Sequence, residues 1–144
     1  MSGTVSVPEK RILVTGASKG IGAAIARRLG SAGYPMAVHY GQDRAGASAV
    51  AEAIRQAGGL AELLQFDIAD RAQTRTVLEA DIEQNGAYWG AVLNAGIARD
   101  GAFPALSDED WDTVLTTNLD GFYNVLKPIT MPMVSARRAS IDWT

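Results

Sequence analysis

Apolar positions along the chain recur with two periods that take turns, and the turns are punctuated by glycine. Residues 11–15 form a short β-branched apolar run that stops at Gly16, the pattern of a strand buried on both faces. From residue 20 to residue 29 the period changes: Ile21, Ile25 and Leu29 recur every fourth residue with Ala24 beside them, and Ser31, Ala32 and Gly33 close a helix with one packed face. A second strand is predicted over 36–40. Ala47, Val50, Ala51 and Ile54 then place a helix over 44–57 that stops at Gly58 and Gly59, and residues 60–66 read as a third strand. Val77, Leu78 and Ile82 mark one stripe of a charged helix over 71–84, closed by Asn85 and Gly86, before a fourth short strand at 91–94. Ser107-Asp-Glu-Asp110 reads as a capping box. It opens a last helix in which Leu115, Leu119, Phe122, Leu126 and Ile129 repeat at spacings of four and three, either as core or as a face for a partner. Strands alternating with helices predict parallel pairing through right-handed crossovers, hence an α/β fold with an open, doubly wound parallel sheet of about four strands covered on both faces.

The length, 144 residues, fits one domain. Boundaries are set at 1–10 for a flexible N-terminus, 11–136 for an incomplete nucleotide-binding domain and 137–144 for an atypical tail, Arg137-Arg-Ala-Ser-Ile-Asp-Trp-Thr144, with no strand pattern. Residues 97–104 are too few to separate domains. Apolar residues make up 47% and charged residues 20%, so the chain can bury a core and is neither disordered nor fibrous. A net charge of −3, with Arg137–Arg138 as the longest basic run, argues against nucleic acid. Cysteine is absent, which excludes disulfides, thiolate catalysis and zinc-thiolate sites. No apolar run approaches the roughly 20 residues of a membrane span, and the first ten residues lack the apolar core of a signal peptide, so the expected place is the cytoplasm, away from membranes.

Candidate chemistry begins after the first strand. Thr15-Gly-Ala-Ser-Lys-Gly-Ile-Gly22 joins that strand to the first helix, where an open α/β sheet offers backbone N–H groups and a helix N-terminus to a phosphate. By analogy with dinucleotide-binding turns, Gly16 permits the tight turn, Gly20 the approach of backbone to a pyrophosphate, and Gly22 close packing of helix on sheet. Lys19 precedes its glycine and no Gly-Lys-Ser/Thr follows, so the segment is not a P-loop. A glycine-rich loop in isolation is as often a plain tight turn; the strand before it and the helix after it favour the Rossmann-type reading. Folds that hold an NAD ribose place an acid about 20 residues on, at the end of the second strand. Here Tyr40 and Gly41 stand there. With no carboxylate to repel a 2′-phosphate, and with Lys19 and Arg44 nearby, the residues favour NADP(H) over NAD, unless both cations are merely solvated.

Three motifs in this order, Thr15-Gly-Ala-Ser-Lys-Gly-Ile-Gly22, Asn94-Ala-Gly96 and Asn118-Leu-Asp-Gly121, resemble the short-chain dehydrogenase/reductase family. Asn94-Ala-Gly-Ile-Ala-Arg-Asp-Gly101 and the stretch from Trp111 to Phe122 resemble its 3-oxoacyl-(acyl-carrier-protein) reductase branch, including relatives in polyene or fatty-acid-like biosynthesis. The resemblance implies that Gly16, Ala17, Ser18 and Lys19 hold the pyrophosphate and 2′-phosphate, that Ile21 covers the nicotinamide side, and that Asp67 and Ile68 meet the adenine. An Asp capping the next helix explains Asp67 equally well. Asn94 is implied to support the sheet while Ala95 and Gly96 approach the nicotinamide ribose; Leu93 stands where the family usually has a further asparagine. Asn118 matches the asparagine of the family's catalytic tetrad. The bland alternative for it is a helix kink or start. Implied partners are an acyl-carrier-protein-bound 3-oxoacyl substrate and a second subunit packed on the apolar stripe, giving a homo-oligomer.

The family's serine, tyrosine and lysine cannot be placed. The four tyrosines, Tyr34, Tyr40, Tyr88 and Tyr123, have Val38, Arg44, Val92 and Lys127 four residues on, and Tyr123–Lys127 lies within the helix of Asn118, where it reads as an ordinary neighbour pair. A frameshifted, truncated or deliberately cut gene would produce such an ending. Three functions follow: an NADPH-dependent reductase of 3-oxoacyl thioesters, a nucleotide-binding half without useful turnover, or a non-catalytic NADP-binding scaffold. Loss of an acid/base group costs about 10²–10⁴-fold in rate, which favours the second for the isolated chain. The strand expected beside the fourth would also be missing, leaving that edge open.

Overall fold

The structure, a computed structural model, describes residues 10–95, 107–136 and 140–143. Its elements run β1 (Ile12–Val14), α1 (Gly20–Ser31), β2 (Met36–Tyr40), α2 (Arg44–Gln56), β3 (Ala61–Gln65), α3 (Arg71–Asn85), β4 (Gly90–Leu93), α4 (Asp108–Ser135) and β5 (Ser140–Trp143). The five strands form one sheet in the order β3-β2-β1-β4-β5, every neighbouring pair parallel. Strand order reverses between β1 and β4. At such a switch point the loops after the two strands part and leave a crevice.

Strands β1 to β4 feed two cores because successive side chains point to opposite faces. Ile12, Val14, Met36, Val38 and Tyr40 pack with Ala47, Val50 and Ile54 of α2 and Ala23 and Ala26 of α1. Leu13, Ala37, Ala91 and Leu93 face the other way, against Leu78 of α3 and Val125, Ile129 and Met133 of α4. This double burial accounts for the apolar character of β1, β2 and β4, which are buried along their whole length. Each fully buried aliphatic side chain contributes about 1.5–3 kcal/mol.

Helix starts follow their side chains. Asp43 Oδ1 accepts from Gly46 N–H at 2.9 Å, Asp70 Oδ1 from Gln73 N–H at 3.0 Å and Ser107 Oγ from Asp110 N–H at 3.0 Å, capping α2, α3 and α4. At the lower end of the sheet a buried cluster ties β1 to α3. Arg11 Nη1 meets Asp81 Oδ2 at 2.6 Å, Arg11 Nη2 donates to Gly86 O at 3.0 Å, and the Tyr88 hydroxyl also donates to Asp81.

Two expectations change. The tail at 137–144, read as lacking a strand, supplies β5: Ser140 to Trp143 pair in parallel with Gly90 to Leu93, so the sheet has five strands rather than four and the edge of β4 is occupied. Unpaired amides along β4 template a partner strand, and four residues of alternating polar and apolar type suffice for that pairing without a longer strand signal. The stripe on α4 splits as well. Ile129 is fully buried and Phe122 and Leu126 pack beside it, whereas Leu115 and Leu119 are 44% and 57% exposed.

Candidate dinucleotide site

A cleft of about 760 Å³ opens at the switch point, lined on one side by the glycine turn, on another by the ends of β2 and β3, and beyond by Asn94, Ala95 and Thr117. The turn is built by left-handed backbone at Gly16 (φ 63°) and Gly20 (φ 62°), conformations that a side chain would strain. A Cβ on Gly20 would meet nothing within 4 Å, so it faces open space, as the approach of a pyrophosphate requires. Gly22 differs. A Cβ there would run into the Gly16 carbonyl oxygen and stand 2.6 Å from Asn94 Nδ2, so α1 reaches the sheet only because this residue is glycine.

Polar contacts lock the turn to the strands. The buried Thr15 hydroxyl accepts from Asn94 N–H at 2.9 Å and Ala95 N–H at 3.0 Å, and Asn94 Nδ2 donates to Gly16 O at 3.1 Å. Thus Asn94 joins the end of β4 to the turn. Gly16 N–H donates to His39 Nδ1 at 3.0 Å and Ala17 N–H to His39 O at 2.9 Å. Those two amides are committed within the protein and Ala17 is fully buried, so both residues build the turn, and Gly16 also lines the cleft. Further along, Lys19 stands at the N-cap of α1, which has no side-chain cap and no acid in its first turn. An uncapped helix start behind an open turn fits an anion.

The other expected residues fall into two groups. Ser18, Lys19, Gly41, Asp67 and Ile68 line the cleft with Gly16, Asn94 and Ala95. Tyr40 is buried and its hydroxyl accepts from Arg44 Nη1 at 2.7 Å, which holds that guanidinium at the β2 end. Gly46 allows α2 to come this close, since a Cβ there would lie 2.5 Å from Ser18 O. Asp67 is exposed; its Oδ1 accepts from Ala69 N–H at 2.9 Å, and the cap of α3 is Asp70, not Asp67. Ile68 tucks beneath α4 because Gly121 has no side chain: a Cβ there would stand 2.8 Å from Ile68 Cδ1. Ile21 is 68% exposed beside the turn. Asn118 is half-buried in α4 and stands outside the cleft lining, which receives its neighbour Thr117 instead. Gly96, residues 97–104, Arg137 and Arg138 lie outside the described residues.

Sequence reasoning missed His39 and Asn124. Asn124, buried in α4, donates from Nδ2 to Ile68 O at 2.7 Å and accepts from Arg71 Nε at 2.9 Å, securing the loop after β3. His39 Nε2 lies 2.8 Å from Phe66 O, and burial lowers its pKa from 6.5 to about 4 against the opposing pull of that carbonyl and of Asp67. A lone histidine inside a strand carries no signal of either contact.

A parallel sheet with a glycine turn and an uncapped helix at its switch point defines a Rossmann-type nucleotide-binding architecture. Residues 10–141 match the short chain dehydrogenase family, and the chain belongs to that family. It is 58% identical over 128 residues, 89% of its length, to a 3-oxoacyl-(acyl-carrier-protein) reductase of Aggregatibacter actinomycetemcomitans, covering 53% of that protein. A reductase of the same name from Staphylococcus aureus is 36% identical over 132 residues, 92% of this chain and 54% of the relative. The chain thus spans about half the length of these curated relatives. A crystal structure of gluconate 5-dehydrogenase from Burkholderia cenocepacia, in complex with NADP and tartrate, superposes with a TM-score of 0.81 at 31% identity, over 93% of this chain and 52% of that one.

Proposed function

We propose that this chain is the NADP(H)-binding half of a reductase that converts 3-oxoacyl thioesters on an acyl carrier protein to 3-hydroxyacyl thioesters in the cytoplasm. The observation that carries the reading is the cleft, lined by Ser18, Lys19 and Gly41 with the uncapped start of α1 behind the turn, while Arg44 is bonded to Tyr40 at the neighbouring end of β2. That arrangement suits a 2′-phosphate, and no acid ends β2. When bound, the dinucleotide supplies the hydride. The chain's own part is to hold it: Asp67 and Ile68 beside the adenine, Asn94 and Ala95 toward the nicotinamide end, with Asn118 proposed as a member of the proton relay. The 58% identity to a reductase of that class favours an acyl thioester substrate over the sugar acid named for the structural neighbour.

A second reading, binding without turnover, has its own observation. Tyr123 and Lys127 have the acid–lysine spacing but stand away from the cleft: the Arg71 guanidinium covers the Tyr123 ring at 5.0 Å, and Lys127 lines a different groove with Arg75 and Glu79. Fluorescence titration of the 144-residue chain with NADPH and NADH, beside a 3-oxoacyl thioester turnover assay, tests both. Selective NADPH binding without turnover supports a cofactor half. Turnover would show that the chain carries its own proton donor, and absence of binding would remove the NADP assignment.

A further inference from the structure

His39 ends up joined to three strands at once. Its backbone belongs to β2, its Nδ1 accepts the Gly16 N–H that follows β1, and its Nε2 donates to the Phe66 carbonyl that follows β3, at 3.0 and 2.8 Å. The acceptor role of Nδ1 requires that nitrogen to be unprotonated, so the proton sits on Nε2 and the ring is neutral. Its face stacks on Phe66, centroids 4.0 Å apart and planes tilted by 33°. His39 is 2% exposed, yet it borders the cleft. Both ring nitrogens are occupied, which removes it as a general base or a metal ligand in this arrangement. What remains is placement: Gly16 and Ala17 hang from the side chain and carbonyl of one residue, and the same ring fixes Phe66, next to Asp67 and Ile68.

We propose that His39 is a positioning residue that, as the neutral Nε2–H tautomer, clamps the glycine turn to the β3 end and so sets the distance between the phosphate-binding and adenine-binding sides of the cleft. The functional part rests on the NADP reading; the clamp itself does not. Protonation of Nδ1 would set two donors, N–H against N–H, at the Gly16 contact, so the clamp and a charged ring exclude each other.

The test pairs two variants with one spectroscopic measurement on the 144-residue chain. His39→Phe keeps the ring against Phe66 and loses both nitrogens; NADPH affinity is expected to fall about tenfold, the equivalent of one lost hydrogen bond. In His39→Asn, Oδ1 can accept the Gly16 N–H in place of Nδ1, and part of that loss is expected to return. Nitrogen-15 spectra of the unliganded wild-type imidazole are expected to show a protonated Nε2 and a bare Nδ1, unchanged from pH 8 to pH 5. An imidazole that titrates near its ordinary value, or carries its proton on Nδ1, overturns the clamp even if His39→Phe fails to fold. A folded His39→Phe chain that binds NADPH as tightly as wild type overturns its role in the site. If the wild type binds no NADPH, the NADP reading fails while the spectra still decide the clamp.

Discussion

At the scale of single residues, the site depends on what two side chains must not be. Gly22 cannot accept a methyl group, because backbone oxygen and Asn94 already fill that space, whereas Gly20 faces room and carries only a backbone requirement. Gly22→Ala is therefore expected to destabilise the chain by at least about 2 kcal/mol and to abolish NADPH binding, while Gly20→Ala costs about 1 kcal/mol of strain. Urea melts and nucleotide titration separate the two. His39 cannot be charged. Its folded pKa, about 4, lies below its ordinary 6.5, so the unfolded chain binds the proton more readily. The stability this confers is fully present above about pH 6.5 and drains away as pH falls toward 4, amounting to about 3 kcal/mol. Melts of wild type and His39→Phe across pH 4–8 check this: the slope belongs to the wild type and flattens in the variant. The glycine turn could be read from spacing and neighbouring elements. His39 could not, since its partners Gly16 and Phe66 are 23 and 27 positions away and only the sheet brings them together.

Between elements, the same limit shows in different form. Apolar runs and glycine stops located four strands and four helices within a residue or two, because each signal is local and each element buries its own pattern. β5 is not local in that sense: its partner is the free edge of β4, and pairing with an existing edge requires little of the sequence. The α4 stripe was legible as a period but not as an environment, since only the half beside Leu78 and Phe66 has a core to enter. Likewise Arg11, one residue before β1, gives no hint that it reaches Asp81, 70 positions on. In that cluster the Tyr88 hydroxyl is held above its ordinary pKa by burial and then by the Asp81 carboxylate. Asp81→Leu would leave the Arg11 guanidinium buried opposite an apolar group and is expected to cost about 3–5 kcal/mol. Arg11→Met with Asp81→Leu is expected to recover much of that loss. A double-mutant cycle by chemical denaturation reads the difference.

At the scale of the whole molecule, two of the apolar surfaces among the described residues predict different behaviour. On α4, Trp111, Leu115 and Leu119 are exposed at four-residue spacing, a row along one helix face continuous with the core below it. On the opposite side of the sheet, a groove of about 580 Å³ between α1 and β4 is lined by Ile12, Ile25, Leu29, Trp89 and Val92. Strands of a parallel sheet are apolar on both faces because both faces are ordinarily covered, and among the described residues α1 and α2 cover β1, β2 and β3 but leave this strip beside β4. A ridge of large side chains suits a second copy of the same ridge, with twofold symmetry, whereas a groove of this width suits a helix or a small apolar molecule. Leu119→Glu is accordingly expected to weaken self-association at least tenfold in sedimentation velocity and to leave binding of an apolar fluorescent dye intact. Ile25→Glu is expected to do the reverse, lowering dye binding in the groove while the sedimentation profile stays that of the wild type. Equal effects of both substitutions on both measurements would mean that the two surfaces are not independent, and that association proceeds through general exposure of apolar area rather than through the α4 ridge.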